Sequence, residues 1–276
     1  MITRMLTLLL AVMPVVASLN AGILDSWGKK TREQPPIIGV LIAYDRPGVV
    51  LEVKGKYRLY DPKDLSFIST RFIGKRKFIQ AVNDGLKWGE EFPDLHQLLI
   101  VPDHQNITTI ADGIEYRGSM YIYDVQGALG IVNEVDIEDY IRSILAAQPS
   151  TLPEEVLAAI AIAARTNAYY YAYNPKTPFW AVDGTQEAYR GFAVTNPSSP
   201  IEKAITATRY LIMSKNKDAS NPAPFAAQFS SAGTAGSKIN LDQAVEMAKR
   251  GEHAARILEQ AYPSTNILLM HYTQAG

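Results

Sequence analysis

No cysteine occurs in the 276 residues, so disulfides, thiolate metal sites and cysteine nucleophiles are excluded. Basic residues show no excess. Lys and Arg number 27 against 28 Asp and Glu, which argues against nucleic acid as a partner. The four histidines, His96, His104, His253 and His271, show no metal-ligand spacing; His96 and His104 are eight apart with Pro102 between them, so no helix face joins them. There is no Gly-rich phosphate loop, no paired-histidine zinc-protease helix and no serine-hydrolase elbow. Phe229-Ser230-Ser231-Ala232-Gly233 comes nearest to an elbow but lacks the leading glycine. These absences leave neither a cofactor nor a metal to be expected.

The N-terminus carries a clear pattern. Arg4 is the only charge before the apolar run Met5–Val16, and small residues follow at Ala17-Ser18. The run is too short to cross a bilayer as a helix, which takes roughly 20 residues, and Pro14 argues against a core helix. This is the layout of a secretory signal peptide over residues 1–18, cleaved after Ala17 or Ser18. It predicts an exported protein, periplasmic or in the cell envelope and soluble after cleavage; a retained anchor is the alternative. No cysteine follows the run, so lipid attachment there is excluded. The densest basic spot, Lys75-Arg76-Lys77, reads as a solvated turn.

Residues 36–130 read as a β-rich leader. Ile37–Tyr44, Val49–Val53 and Lys56–Tyr60 are rich in β-branched and aromatic residues, with turn signals at Asp45-Arg46-Pro47-Gly48, Gly55 and Asp61-Pro62. Gln97–Val101, Thr108–Ile110, Ile114–Tyr116 and Ser119–Tyr123 continue the pattern, with Tyr121 and Tyr123 on one strand face and Ile122 on the other. Phe78–Glu90 reads as one amphipathic helix between them. From Ile137 the character changes. Ile137–Ala147 is a predicted helix that Pro149 and Pro153 terminate. Glu154–Tyr171 is a long one, opened by Pro153 with Glu154 and Glu155 in its first turn. Further helices are expected at Pro200–Thr208, Asp242–Arg250 and Ala254–Ala261, and a loop at Ser220–Pro224. The fold class is α+β: a β-rich first half, then a domain over 131–268 built around one buried helix.

The stretch Val156–Ala164 is apolar on every side, so its helix belongs inside the domain. Arg165-Thr166 then follow on the same helix. Burying a guanidinium without a partner costs several kcal/mol, so Arg165 implies either an internal carboxylate or a pocket floor facing a polar ligand. Glu138, Asp139 and Asp183 are candidates for the first.

At these residues a family resemblance emerges. Tyr116-Arg117-Gly118, Val132-Asn133-Glu134-Val135 and Glu138-Asp139-Tyr140 resemble the entry into the domain of the stage II sporulation protein D and amidase-enhancer family. Ala159-x-Ala161-x-Ala163-Ala164-Arg165-Thr166 is similar to its signature helix, and Asp183–Gly191 to its next block. Phe229-Ser230-Ser231 with Gly233 and Gly236, Met247–Gly251, Ile257-Leu258 and Tyr262-Pro263-x-Thr265 resemble the blocks that close it. The resemblance runs in order over Tyr116–Thr265.

It implies an envelope protein acting on peptidoglycan glycan strands, either cleaving peptide-stripped strands as a lytic transglycosylase or enhancing a partner amidase. It also implies substrate contacts at Arg165, Thr185, Glu187, Tyr189, Ser230 and Ser231. The family's catalytic acid is a Glu shortly after the Glu-Asp-Tyr segment. Counting from Tyr140 the matching position is Gln148; counting back from Pro153 it is Ala147. Neither is an acid, and an amide cannot donate and recover a proton at neutral pH. The family's Lys and Gln on the signature helix are Ala158 and Ile160 here. General acid–base catalysis is worth roughly 10²–10⁴ in rate, so strand binding with weak or absent cleavage is the expected function. An active enzyme with a relocated acid, drawn from Glu154, Glu155, Asp183 or Glu187, is the first alternative. A structural envelope protein that keeps only the fold is the second.

Overall fold

The computed structural model describes residues 35–72, 74, 76–149, 151–229 and 239–272. The expected signal peptide at 1–18 lies outside the described residues, as do Ser230 and Ser231. No described helix is long and apolar enough to cross a membrane.

Twelve strands come first: β1 (Ile37–Arg46), β2 (Val49–Val53), β3 (Tyr57–Asp61), β4 (Ser66–Arg71), β5 (Lys77–Val82), β6 (Gly85–Trp88), β7 (Glu90–Pro93), β8 (Gln97–Pro102), β9 (Thr109–Ala111), β10 (Ile114–Tyr116), β11 (Ser119–Val125) and β12 (Ala128–Asp136). Then come α1 (Ile137–Ala146), α2 (Glu154–Tyr173), β13 (Val182–Asp183), α3 (Pro200–Ala207), β14 (Leu211–Ser214), α4 (Leu241–Lys249), α5 (Ala254–Ala261) and β15 (Asn266–Leu269). The α+β class expected from the sequence is the class observed.

The strands form a seven-stranded sheet in the order β13-β1-β12-β11-β8-β3-β4, a six-stranded sheet β10-β9-β2-β5-β6-β7, and a small pair β14-β15. Their alternation explains the layering. On β11, Met120 and Ile122 are fully buried, and on β12 Leu129, Ile131 and Val135 join them in a core shared with Val49, Leu51 and Ile79 of the second sheet. The expected boundary at residues 130 and 131 falls within β12. That strand pairs with β1 along Ile37↔Asp136 to Arg46↔Leu129 and with β11 on its other side, so both regions share one sheet.

The sequence expectation of a helix at Phe78–Glu90 is overturned: the segment is β5, β6 and β7. Its apolar spacing suits a helix, but Asn83-Asp84 form a two-residue turn closed by the Val82↔Gly85 pair. Gly85 holds φ +133°, and a side chain there would collide with the Phe92 carbonyl.

α2 is the axis of the second half. Val156–Tyr169 is buried without interruption, and the helix packs against α1, α3, α4, α5, β14 and β1. Two of its neighbours begin at side-chain caps. The Asp136 side chain accepts from Glu138 N at 2.7 Å to cap α1, and Asn240 accepts from Gln243 N at 3.0 Å to cap α4. His253, at the start of α5, makes no such side-chain cap. The Glu155 carboxylate of α2 takes its place, accepting from Ala254 N at 2.7 Å.

Candidate functional site

Three consecutive residues at the tail of the buried run reach in three directions, since successive helix positions are about 100° apart. Arg165 is fully buried. Its Nε and Nη2 donate to the two carboxylate oxygens of Glu138 at 2.7 and 2.8 Å, a two-pronged bridge from α2 to the first turn of α1. Nη1 donates to the Leu211 carbonyl at 3.2 Å. Thr166 Oγ1 accepts from Met213 N at 2.8 Å while donating to Ile162 O at 2.7 Å. The Arg-Thr pair therefore fastens β14 and α1 onto the central helix. Of the two readings of Arg165 left open by the sequence, its contacts are those of the internal ion pair.

Asn167 turns the other way, its Nδ2 donating to Glu187 Oε2 at 3.2 Å. Glu187 sits on a loop folded by Asp183, whose Oδ1 accepts from Thr185 N at 2.8 Å and Gln186 N at 3.3 Å. Burial pushes the Glu187 carboxyl above its ordinary value, partly offset by Lys176, whose Nζ is 3.7 Å away. The Tyr140 ring of α1 lies beside it. That phenol is raised well above its ordinary value, first by burial and then by the neighbouring Glu187 charge. Tyr140 stacks on Tyr189 with ring centres 5.6 Å apart, and the Tyr189 hydroxyl donates to Asn133 Oδ1 at 2.6 Å. The amide of Asn133 spends its own donors on the Arg117 and Ser119 carbonyls at 2.8 and 3.0 Å. Glu187, Tyr189, Tyr140 and Asn167 are thus one cluster joining α1, α2, β12 and the 183–191 loop. Thr185 lies exposed at its edge.

The sequence profile of the stage II sporulation protein (SpoIID) family matches residues 125–214, which run from the end of β11 through β14. An uncharacterised protein of Chlamydia pneumoniae is 34% identical over 193 residues, 68% of this chain and 70% of that one. One from Chlamydia muridarum is 29% identical over 239 residues, 85% of this chain and 78% of its own. A third, from Brachyspira hyodysenteriae, is 33% identical over 181 residues, 64% of this chain and 48% of its own. The chain belongs to the SpoIID family. Membership gives it a role connected with the cell wall.

Of the two positions at which the family resemblance puts the acid, Ala147 caps the end of α1 and Gln148 lies just beyond it, 7% exposed. Its Nε2 donates back to the Ile144 carbonyl at 3.3 Å, and its Oε1 is buried without a partner among the described residues. Gln148 and the Arg165 head are not neighbours. Arg165 grips Glu138, ten residues earlier, and ten residues of helix span roughly 15 Å. Of the substitute acids, Glu155 is committed to the start of α5 and to His253 Nδ1 at 3.2 Å. Glu154 is exposed in the first turn of α2. Among the described residues no three His, Asp or Glu side chains come together as a metal site. Sequence reading missed Tyr140 and Asn167 as partners of Glu187. Their spacing on two different helices gives no linear pattern; only the helical pairing of α1 and α2 brings them together.

Proposed function

We propose that this SpoIID protein is exported to the cell envelope and binds peptidoglycan glycan strands stripped of their stem peptides, with little or no cleavage of its own, and that it enhances a partner wall amidase. The observation that carries this reading is Gln148. Counted from Tyr140 it takes the family's acid position, with Ala147 the other candidate; neither is an acid, and the Gln148 amide is turned back onto its own helix. A lytic transglycosylase needs one carboxyl there, to protonate the glycosidic oxygen and then accept the proton of the sugar's 6-hydroxyl as the anhydro ring closes. The signal-peptide pattern of residues 1–18 supports a location where that substrate is found.

The test is purified protein with peptide-free glycan strands. Retention of the protein on the strands and no anhydro-muramyl product by mass spectrometry are expected. Abundant product from the wild-type chain would overturn the weak-activity reading. Gln148→Glu, alone or with Ala158→Lys, is expected to raise cleavage above wild type.

A second reading, an active enzyme with a relocated acid, draws on Glu187. Burial raises this carboxyl above its ordinary value, the direction a general acid needs. On that reading Glu187→Gln abolishes the product that wild type forms.

A further inference from the structure

The outward face of the seven-stranded sheet carries an arrangement that the reading above does not use. Residues paired directly across antiparallel strands point to the same side. The register sets Glu134 of β12 opposite Ser119 and Gly39, Val132 opposite Tyr121, and Gly130 opposite Tyr123. Tyr121, Tyr123 and Glu134 therefore share the face turned away from buried Met120 and Ile122.

Two glycines leave room for aromatic neighbours on that face. A Cβ on Gly39 would lie 3.7 Å from the Trp180 Cα, so the chain at Trp180 crosses β1 beside Glu134. A Cβ on Gly130 would lie 3.7 Å from the Tyr44 ring. The crossing segment is held firmly. Thr177 Oγ1 accepts from Phe179 N at 3.2 Å and Trp180 N at 3.0 Å, and Ala181 N donates to the Gly39 carbonyl at 2.8 Å.

The rings form a continuous series. Tyr121 stacks on Tyr123 at 6.1 Å with planes 10° apart, Tyr123 meets Phe179 edge-on at 5.0 Å, Phe179 adjoins Trp180 at 6.4 Å, and Trp180 adjoins Tyr44 at 5.7 Å. Phe179 is 37% exposed and Tyr44 52%. Beside them Glu134 has neither an ion pair nor a hydrogen bond to its carboxyl among the described residues. Burial pushes that carboxyl up to about 7. The ionisable groups sharing its face are the phenols of Tyr121 and Tyr123 on β11 and, two residues along β12, Asp136, whose carboxylate caps α1 by accepting from Glu138 N; β1 offers only Ile37, Gly39 and Leu41 there.

The chemistry selects one occupant. An apolar protein surface or a lipid would bury the Glu134 carboxyl with no hydrogen-bonding group to meet it, at a cost of several kcal/mol. The one cation on the crossing turn, Lys176, directs its Nζ to Glu187 at 3.7 Å and Gln186 at 3.4 Å, and no basic side chain belongs to the ring series, which disfavours an anion. A neutral sugar ring offers apolar C–H faces to the aromatics and hydroxyls to the carboxyl.

We propose that Glu134, Tyr121, Tyr123, Phe179 and Trp180 form a carbohydrate subsite on the outer sheet face, taking a neutral N-acetylhexosamine ring of a glycan strand. The proposal rests on the strand-binding function and places part of that binding away from Gln148.

The full chain is titrated with a β-1,4-linked N-acetylglucosamine tetramer while tryptophan emission is followed, and its retention on peptide-free glycan strands is measured in parallel. Binding with an emission change is expected. Trp180→Phe keeps the binding and loses that change. Phe179→Ala and Glu134→Ala weaken binding at least tenfold, and Glu134→Gln less; circular dichroism checks that each variant folds. If Phe179→Ala and Glu134→Ala hold both ligands as tightly as wild type, the subsite is overturned while strand binding stands. If the wild-type chain binds neither ligand, the proposed function falls and the subsite with it.

Discussion

Arg165 and Glu138 place a full ion pair inside the protein, and their neighbours leave little slack. The guanidinium is fully buried and also serves the Leu211 carbonyl. Removing one partner strands the other charge, which typically costs about 3–5 kcal/mol. Glu138→Gln is therefore expected to lower unfolding free energy by roughly that amount in urea denaturation. The double variant Arg165→Met with Glu138→Leu should recover much of the loss, because neither charge is left alone. Glu134 acts through pH instead. Its folded carboxyl is raised from 4.5 to about 7, so between those values the folded chain holds more protons than the unfolded one. This group's contribution to stability is fully present below pH 4.5 and is lost as pH rises through about 7, by up to about 3 kcal/mol in total. Glu134→Gln should flatten that slope in melts taken from pH 5 to pH 8; an unchanged slope would mean that the group is not responsible. The burial of Arg165 was legible in the sequence because the apolar run around it is unbroken. Glu134 was not, because a carboxylate on a strand looks like the wet side of an ordinary alternation. What makes it unusual is its burial, on a face that the Trp180 segment, distant in the chain, reaches only through the crossing over Gly39.

At the scale of elements, helix ends were more readable than strands. Pro153 is a start signal with a physical basis, and helices expected from Pro200 and over Ala254–Ala261 are observed at Pro200–Ala207 and Ala254–Ala261. The start of α5 nevertheless depends on a side chain about a hundred residues away. Glu155→Ala should remove that cap and cost about 1 kcal/mol, read as a lower melting temperature with strand binding unchanged. The three strands at Lys77–Pro93 were hidden because Phe78, Ile79, Val82, Leu86 and Trp88 satisfy helical spacing as well as they satisfy alternation. Asn83-Asp84-Gly85 decides between them, since Gly85 needs a backbone conformation and a clearance that a helix does not supply. β12 escaped notice for a different reason. Leu129–Asn133 is buried on both sides, which erases the alternation by which a strand is ordinarily recognised.

For the whole molecule the decisive element is β1, second from the edge of the seven-stranded sheet and seated between β12 and β13, both of the matched family region. A fragment beginning at residue 116 would leave an edge of β12 open and deprive Val182-Asp183 of its partner Val40-Leu41. Such a fragment is expected to be insoluble or unfolded alone, and to become soluble when residues 35–115 are co-expressed with it; solubility and circular dichroism check this. The sequence showed which residues are strands and which are helices in most of the chain. It did not show that a strand from the leader completes the family's sheet, because pairing across that distance leaves no local trace.

The position of β1 also sets a timetable. Its residues are among the first of the described chain to be synthesised, but Ile37 pairs with Asp136 and Leu41 with Asp183. Both edges of this strand wait for segments made long afterwards, and contacts so far apart in sequence close slowly. A chain in which the strand joining its two regions is finished late stays open while it is being made. That is the condition in which a polypeptide can be threaded through a narrow channel before it folds, and it suits the route proposed for this one.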